Sequence, residues 1–189
     1  MIDKLSDAYG KRLIRLVRET IGHKLGQVAE VDQSGLEDEV LNRHLATFVT
    51  LKKNNALRGC IGNLEPVGPL STSIADNARN AAFHDHRFSP LSPDEFADVV
   101  IDISILTPPV PLDYNDGKDL VNQLRPGIDG VILKKGRARA TFLPQVWDQL
   151  PHPRMFLEHL CRKAGLSPNA WWDQHPEILI YQVQSFHEE

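Results

Sequence analysis

The residue with the clearest chemical potential is Cys60, set in Leu57-Arg58-Gly59-Cys60-Ile61-Gly62-Asn63-Leu64-Glu65-Pro66 between two glycines and two positions after an arginine. A thiolate, not a thiol, is the nucleophile and the metal ligand, and a nearby guanidinium favours it. If residues 57–64 run extended, Arg58, Cys60 and Gly62 share one face, because side chains two apart point the same way. Arg58 is then expected beside the sulfur, favouring the thiolate. Glycine weakens a strand interior, so Gly59 and Gly62 signal a bulge or a close approach by another backbone or a ligand. The packing alternative is that Cys60 is a small buried hydrophobe and the glycines admit a bulky side chain from a facing helix. The letters also spell G-x-x-G, a nucleic-acid backbone clamp in one RNA-binding module, but Cys-Ile at its centre is neither basic nor flexible.

Nucleophilic chemistry at Cys60 needs a proton carrier, and the candidates are His84 and His86 in His84-Asp85-His86-Arg87-Phe88-Ser89-Pro90. The same stretch offers three metal-ligand types. Neighbouring ligands on one short segment seldom converge on an ion without a further group, and no matching spacing stands elsewhere, so no metal or cofactor is expected. Asp85 with Arg87 reads equally as a structural ion pair fixing this loop beside the cysteine strand. A third cluster, Lys134, Lys135, Arg137 and Arg139, attracts anions without defining a pocket and reads first as a solvated hairpin tip.

The elements that must position these groups follow from periodicity and turn chemistry. Residues 45–51 form a strand that returns over Asn54-Asn55 as residues 57–64. An amphipathic helix starts near Ser6, buries Leu13, Leu16, Val17, Ile21 and Leu25, and ends at Gly26. Residues 31–44 read as a loop with a brief helix. A helix over 71–83 carries small residues suited to close contact with a sheet. Residues 99–106 alternate as a strand on which Asp102 and Ser104 share a wet or cleft-lining face. Thr107-Pro108-Pro109-Val110-Pro111 stops that strand, marking a lobe boundary near 107–111. Beyond it come a short helix near 118–124, a hairpin around Lys135-Gly136, a helix from about Pro153 that buries Cys161, the pair Trp171-Trp172, and a last strand over 178–186 with a central place in the sheet. These elements imply an α+β fold: one domain over 1–189, a mainly antiparallel sheet with flanking helices, and a larger and a smaller lobe with a cleft between them.

The chain has 189 residues, 41% hydrophobic and 24% charged, with a net charge of -4 and two cysteines. That is an ordinary globular composition, and no apolar run approaches a membrane span. The first residues lack the apolar core of a secretory signal, and two dissimilar cysteines make no disulfide framework, so a cytoplasmic protein with reduced thiols is expected. The negative charge argues against nucleic acid as a partner. No Ser-His-Asp arrangement, phosphate loop or dinucleotide fingerprint is present.

Leu-Arg-Gly-Cys-Ile-Gly followed by Leu-Glu-Pro resembles the signature of the family named for the Alport syndrome, midface hypoplasia and elliptocytosis chromosomal region (Ammecr). Its bacterial and archaeal members are called AmmeMemoRadiSam system protein A. The resemblance continues through Asp85-His86-Arg87-Phe88-Ser89-Pro90-Leu91, Ile103-Ser104-Ile105-Leu106-Thr107-Pro108-Pro109, Gly127-Ile128-Asp129-Gly130-Val131, Thr141-Phe142-Leu143-Pro144-Gln145-Val146 and Lys163-Ala164-Gly165-Leu166, nearly the whole chain. Asp85, Arg87 and Phe88 fit the pattern, whereas His84 and His86 depart from its commoner residues. The resemblance implies a candidate active site at the cysteine motif. It brings Gly59, Gly62, Glu65, Asp85, Arg87 and Gln145 forward as further motif or cleft positions. It also implies association with a radical-SAM protein and a Memo-type protein. Two functions from different classes follow: an enzyme, a cysteine-dependent transferase or hydrolase attacking an electrophilic carbon of a small molecule, or a non-catalytic module that binds a ligand or docks a partner. Nucleic-acid binding rests only on the hairpin cations.

Overall fold

A computed structural model describes residues 4–188. Met1, Ile2 and Asp3, part of the start read above as lacking a signal core, lie outside them, as does Glu189. The chain forms two compact units: one takes the chain through Leu106 together with the segment from Gln184, and the other runs from Thr107 to Val183. Each holds a four-stranded sheet with helices, every described pairing antiparallel.

In the first unit, α1 (Asp7–Lys24) follows the expected periodicity, with Leu13, Val17 and Ile21 at zero exposure, and it ends at Gly26, whose φ is +74°. β1 (Ala46–Lys53) and β2 (Ala56–Gly62) meet across Asn54 and Asn55, at φ 52° and 62°. Two consecutive left-handed residues are what a tight hairpin with matching strand twist requires, and asparagine tolerates that region best after glycine. β3 (Val99–Leu106) pairs with the other side of β1, and β8 (Val183–His187) lies beyond it, giving the order β2-β1-β3-β8. α2 (Leu70–Phe83) packs on the face carrying Val49, Leu51, Ile101 and Ile103, all fully buried and each contributing roughly 1.5–3 kcal/mol. Buried Asn77 of α2 donates to the Thr47 carbonyl and hydroxyl of β1 at 3.1 and 2.9 Å. Arg18 of α1 reaches the Phe96 and Val99 carbonyls, both at 2.7 Å, and pairs with Glu188.

In the second unit, β4 (Val110–Pro111), β5 (Gly130–Lys135), β6 (Ala138–Phe142) and β7 (Glu177–Tyr181) stand in the order β4-β7-β5-β6. Pro111 is tolerated because β4 is an edge strand. Asp116 caps α3 (Gly117–Gln123), accepting from the Lys118 and Asp119 amides. α4 (Pro153–Lys163) buries Phe156, Leu157, Leu160 and Cys161, with Phe156 stacked on Trp147 at 3.7 Å. In α5 (Ala170–Asp173) Trp171 is buried and Trp172 exposed. The hairpin cations are partly engaged: Lys134 pairs with Glu177 at 3.4 Å and Lys135 donates to the Gln174 carbonyl.

The α+β expectation of antiparallel pairing with flanking helices holds, its strands divided between two sheets. Two finer expectations need correction. The single last strand breaks at Gln182 into β7 and β8, which belong to different sheets, because Gln182 turns its N–H to the Thr107 hydroxyl and its carbonyl to the Thr107 amide. Residues 31–44 contain turns and no helix; Asp38 accepts from the Val40 amide, the local side-chain bonding that competes with helix, and from the distant Tyr9 hydroxyl of α1. Among the described residues no helix is long and apolar enough to cross a membrane.

Candidate functional site around Cys60

β2 is an edge strand, so half of its backbone groups lack a strand partner, and at Cys60 two side chains supply them. Asp85 accepts the Cys60 N–H at 2.9 Å, and Arg87 Nη2 donates to the Cys60 carbonyl at 3.1 Å. Asp85 and Arg87 grip each other through Nε to Oδ1 at 2.9 Å and Nη2 to Oδ2 at 2.7 Å, as the ion-pair reading expects. The Asp85 side chain is 2% exposed. The Arg87 hydrogen bond, aided by the Cys60 and Arg87 amides, holds its carboxyl well below the usual range despite burial. Arg87 is held protonated chiefly by Asp85.

Gly59 faces the helix side. A Cβ there would lie 2.2 Å from the Ala81 carbonyl oxygen of α2, so backbone meets backbone and no other residue fits. Gly62 is similarly filled: its Cβ would lie 2.3 Å from both the Phe48 ring and the Thr47 carbonyl. The close approach that the glycines signal is thus one of chain on chain.

The β1–β2 register shifts between Leu51, opposite Gly59, and Lys52, opposite Leu57, leaving Arg58 as the extra residue. A bulge re-aims its side chain and breaks the two-residue alternation. The Arg58 guanidinium is accordingly bound by Glu95, Nε to Oε1 at 3.1 Å and Nη2 to Oε2 at 3.0 Å, and by the Ser89 carbonyl at 3.0 Å. Arg58 drives the Glu95 carboxyl down to about 2, with help from the Ser92 amide. Phe88 lies between the two cations, 5.8 Å from Arg58 and 5.5 Å from Arg87.

Cys60 stands opposite Thr50, and the Thr50 hydroxyl donates to the sulfur at 3.2 Å. Both residues are half-buried. Because the Cys60 N–H and carbonyl face away from β1, this is a non-hydrogen-bonded pair, the kind in which side chains come closest. The row continues: Thr50 is opposite Asp102 on β3, and Asp102 holds Lys52 Nζ at 2.5 Å and His187 Nδ1 of β8 at 2.7 Å. Four strands therefore present Cys60, Thr50, Asp102 and His187 on one sheet face. Polar alternation had marked Asp102; Thr50 and His187 carried no signal, since only strand register places them there.

His84 and His86 are exposed at the end of α2 and in the loop beyond, and the sulfur's partner is Thr50, not an imidazole. Glu65 is exposed just after β2; Gln145 is exposed on the 3₁₀ turn Pro144–Asp148 of the second unit. Among the described residues no three of His, Cys, Asp and Glu converge to hold a metal. Cys161 is fully buried, and burial pushes its thiol up.

A family model described as AMMECR1 matches residues 14–186. A protein of Methanothermobacter thermautotrophicus is 37% identical over 98% of this chain and 97% of its own length. One of Methanopyrus kandleri is 36% identical over 100% of this chain and 93% of its own. The crystal structure of an uncharacterized Pyrococcus horikoshii protein superposes with a TM-score of 0.85 at 32% identity, covering 99% of this chain and 95% of that one.

Proposed function

This chain belongs to the AMMECR1 family, and on that premise we propose that the Cys60 face of the β2-β1-β3-β8 sheet acts on a small molecule, with the sulfur as nucleophile toward an electrophilic carbon. The observation that carries this reading is the Thr50 hydroxyl donating to a half-buried sulfur whose own backbone is clamped on both sides. A donor on sulfur favours the thiolate, and a fixed backbone removes the entropy of aiming it. Arg87, which donates to the Cys60 carbonyl, takes the part that alternation assigns to Arg58. His187, with Nδ1 on Asp102 and Nε2 free of that bond, is the imidazole of this row. It stands three strand spacings from Cys60, about 14 Å, so it serves the far end of a substrate lying across β1 and β3, not the thiol itself. Two free thiols suit a reducing cytoplasm, and the small molecule belongs to a sequence shared with radical-SAM and Memo-type proteins.

The second reading, a non-catalytic module that binds a ligand or docks one of those partners, is favoured by a different observation. Gly59, Gly62, Asp85, Arg87, Arg58 and Glu95 are all engaged by contacts inside the first unit. Alkylation of Cys60 against pH, read by peptide mass spectrometry with Cys161 as internal control, separates the two. Reaction near pH 7 with Cys161 silent supports the nucleophile. Reaction of both thiols only on unfolding overturns it and leaves the binding module.

A further inference from the structure

We propose that the second unit is a conformational clasp: while folded it holds the two ends of its own segment together, and that closure keeps β8 docked on β3. The inference concerns the fold and does not depend on the nucleophile reading. It bears on the Cys60 face because β8 carries His187, one end of that row.

The chain leaves the first unit after Leu106, the last residue of β3, and rejoins it at Gln184 in β8. β3 and β8 are neighbours in one sheet, yet residues 107–183 separate them in sequence. Pairing two strands across a flexible loop costs closure entropy, and each doubling of loop length makes it roughly threefold less favourable. From a tight turn to a loop of this length is about five doublings, or roughly a hundredfold.

The folded second unit removes that cost. The Thr107 N–H donates to the Gln182 carbonyl and the Gln182 N–H to the Thr107 hydroxyl, both at 2.9 Å. Just inside them Val110 stands opposite Ile180 and Pro111 opposite Leu179, and the Leu112 N–H donates to the Ile178 carbonyl at 2.9 Å. Leu133, Leu157, Leu160 and Ile178 belong to a core of the second unit's own, so its ends stay together while that core is intact. Between β3 and β8 the folded unit then counts as a connection no longer than a hairpin turn.

β8 is held lightly enough for this to matter. It is a five-residue edge strand. Its ties are the Glu188 N–H to the Ile101 carbonyl at 2.9 Å, the Arg18–Glu188 pair, the Gln184 amide on both backbone groups of Leu5, and exposed His187 on Asp102. A net hydrogen bond favours docking by about fivefold, so a hundredfold closure cost cancels about three of them. The coupling is reciprocal: docked β8 stabilises the second unit by the same factor, as a cross-link between its ends would. Whatever stabilises the second unit therefore holds His187 in the Cys60 row.

Adjacent amides of β3 provide the readout. Ile101 accepts from the Glu188 amide and donates to the Glu188 carboxylate, so it faces β8. By alternation Ile103 faces β8 as well, and Asp102, opposite Thr50, faces β1. The test is hydrogen exchange of the full chain, resolved by residue with NMR. Leu160→Asp buries an unpaired carboxylate in the second core and unfolds that unit. In this variant the Ile103 amide is expected to lose about a hundredfold of its protection, while Asp102 keeps its own. The wild-type chain in sub-denaturing urea repeats the test without a substitution: Ile103 is expected to exchange through the opening that exposes the Leu112 amide, and Asp102 through a rarer one. Ile103 protection unchanged when the second unit is open overturns the proposal. So does loss of Ile103 and Asp102 protection together, because the coupling would then not run through β8.

Discussion

Asp85 accepts the backbone N–H of Cys60 at 2.9 Å, while the arginine that grips its carboxylate donates to the carbonyl of the same residue. A carboxylate and a guanidinium here do what a neighbouring strand would do, closing the free edge of β2 at the one residue whose side chain carries a thiol. An uncovered edge invites pairing with another chain. The clamp therefore covers the edge and aims the sulfur at once.

Asp85→Ala leaves the Cys60 amide without its acceptor, while the half-exposed Arg87 turns to water. Loss of a hydrogen-bond partner costs about 1–3 kcal/mol, so the urea midpoint should fall accordingly. Asp85→Asn, which keeps an acceptor oxygen for the Cys60 amide, should lose less. Equal losses in the two variants would show that the backbone bond contributes nothing.

The acid limb of stability follows from two depressed carboxyls. Glu95 is held down to about 2 by Arg58, and Asp85 well below its usual range by Arg87. The unfolded chain binds these protons first, so their contribution is complete above the unfolded carboxyl range of about 4 and is lost as pH falls toward 2. Urea titrations between pH 7 and 2.5 should show stability declining across that window. Glu95→Gln should flatten the decline, and a slope unchanged in that variant would refute the assignment.

Gly59→Ala places a methyl against the Ala81 carbonyl, and because both groups are backbone the strand or the helix must move. Overpacking of this kind costs about 1–3 kcal/mol. Gly68→Ala is the control: its nearest neighbour would be 3.8 Å away, and a change within about 0.5 kcal/mol is expected by chemical denaturation.

Thr50→Val keeps the shape of the β1 residue and removes the donor from the Cys60 sulfur. With a net hydrogen bond worth about 1 kcal/mol, iodoacetamide alkylation of Cys60 near pH 7 should slow roughly fivefold. An unchanged rate would mean that the hydroxyl does not stabilise the thiolate.

Much of this architecture was legible residue by residue. Asn54-Asn55 announced its hairpin because two adjacent asparagines suit two adjacent left-handed positions, and Leu13, Val17 and Ile21 announced α1 by their spacing. Asp85 and Arg87 were legible as a pair, being two residues apart. What they hold was not, because the Cys60 backbone belongs to another element and its need for partners arises only from the edge position of β2. Arg58 was misplaced because a bulge leaves no mark in side-chain alternation unless a partner strand is known. Residues 178–186 read as one apolar strand because local pattern does not say which sheet a strand joins; the turn of Gln182 toward Thr107 decides that. The Thr50, Asp102 and His187 row is a product of register across three strands, information that no single stretch of sequence holds.

The return of the chain through β8 sets an order of events during synthesis. The first sheet lacks its fourth strand, Arg18 lacks Glu188, and the ring of Phe186 has not yet reached the space beside Gly10 until the residues from Gln184 onward have left the ribosome. Every residue of the second unit has emerged before then. The unit whose helix begins at Asp7 is consequently the last to be finished. Until that moment β3 presents an open flank to solvent and to chaperones, the stage at which a nascent chain of this design is most exposed to mispairing.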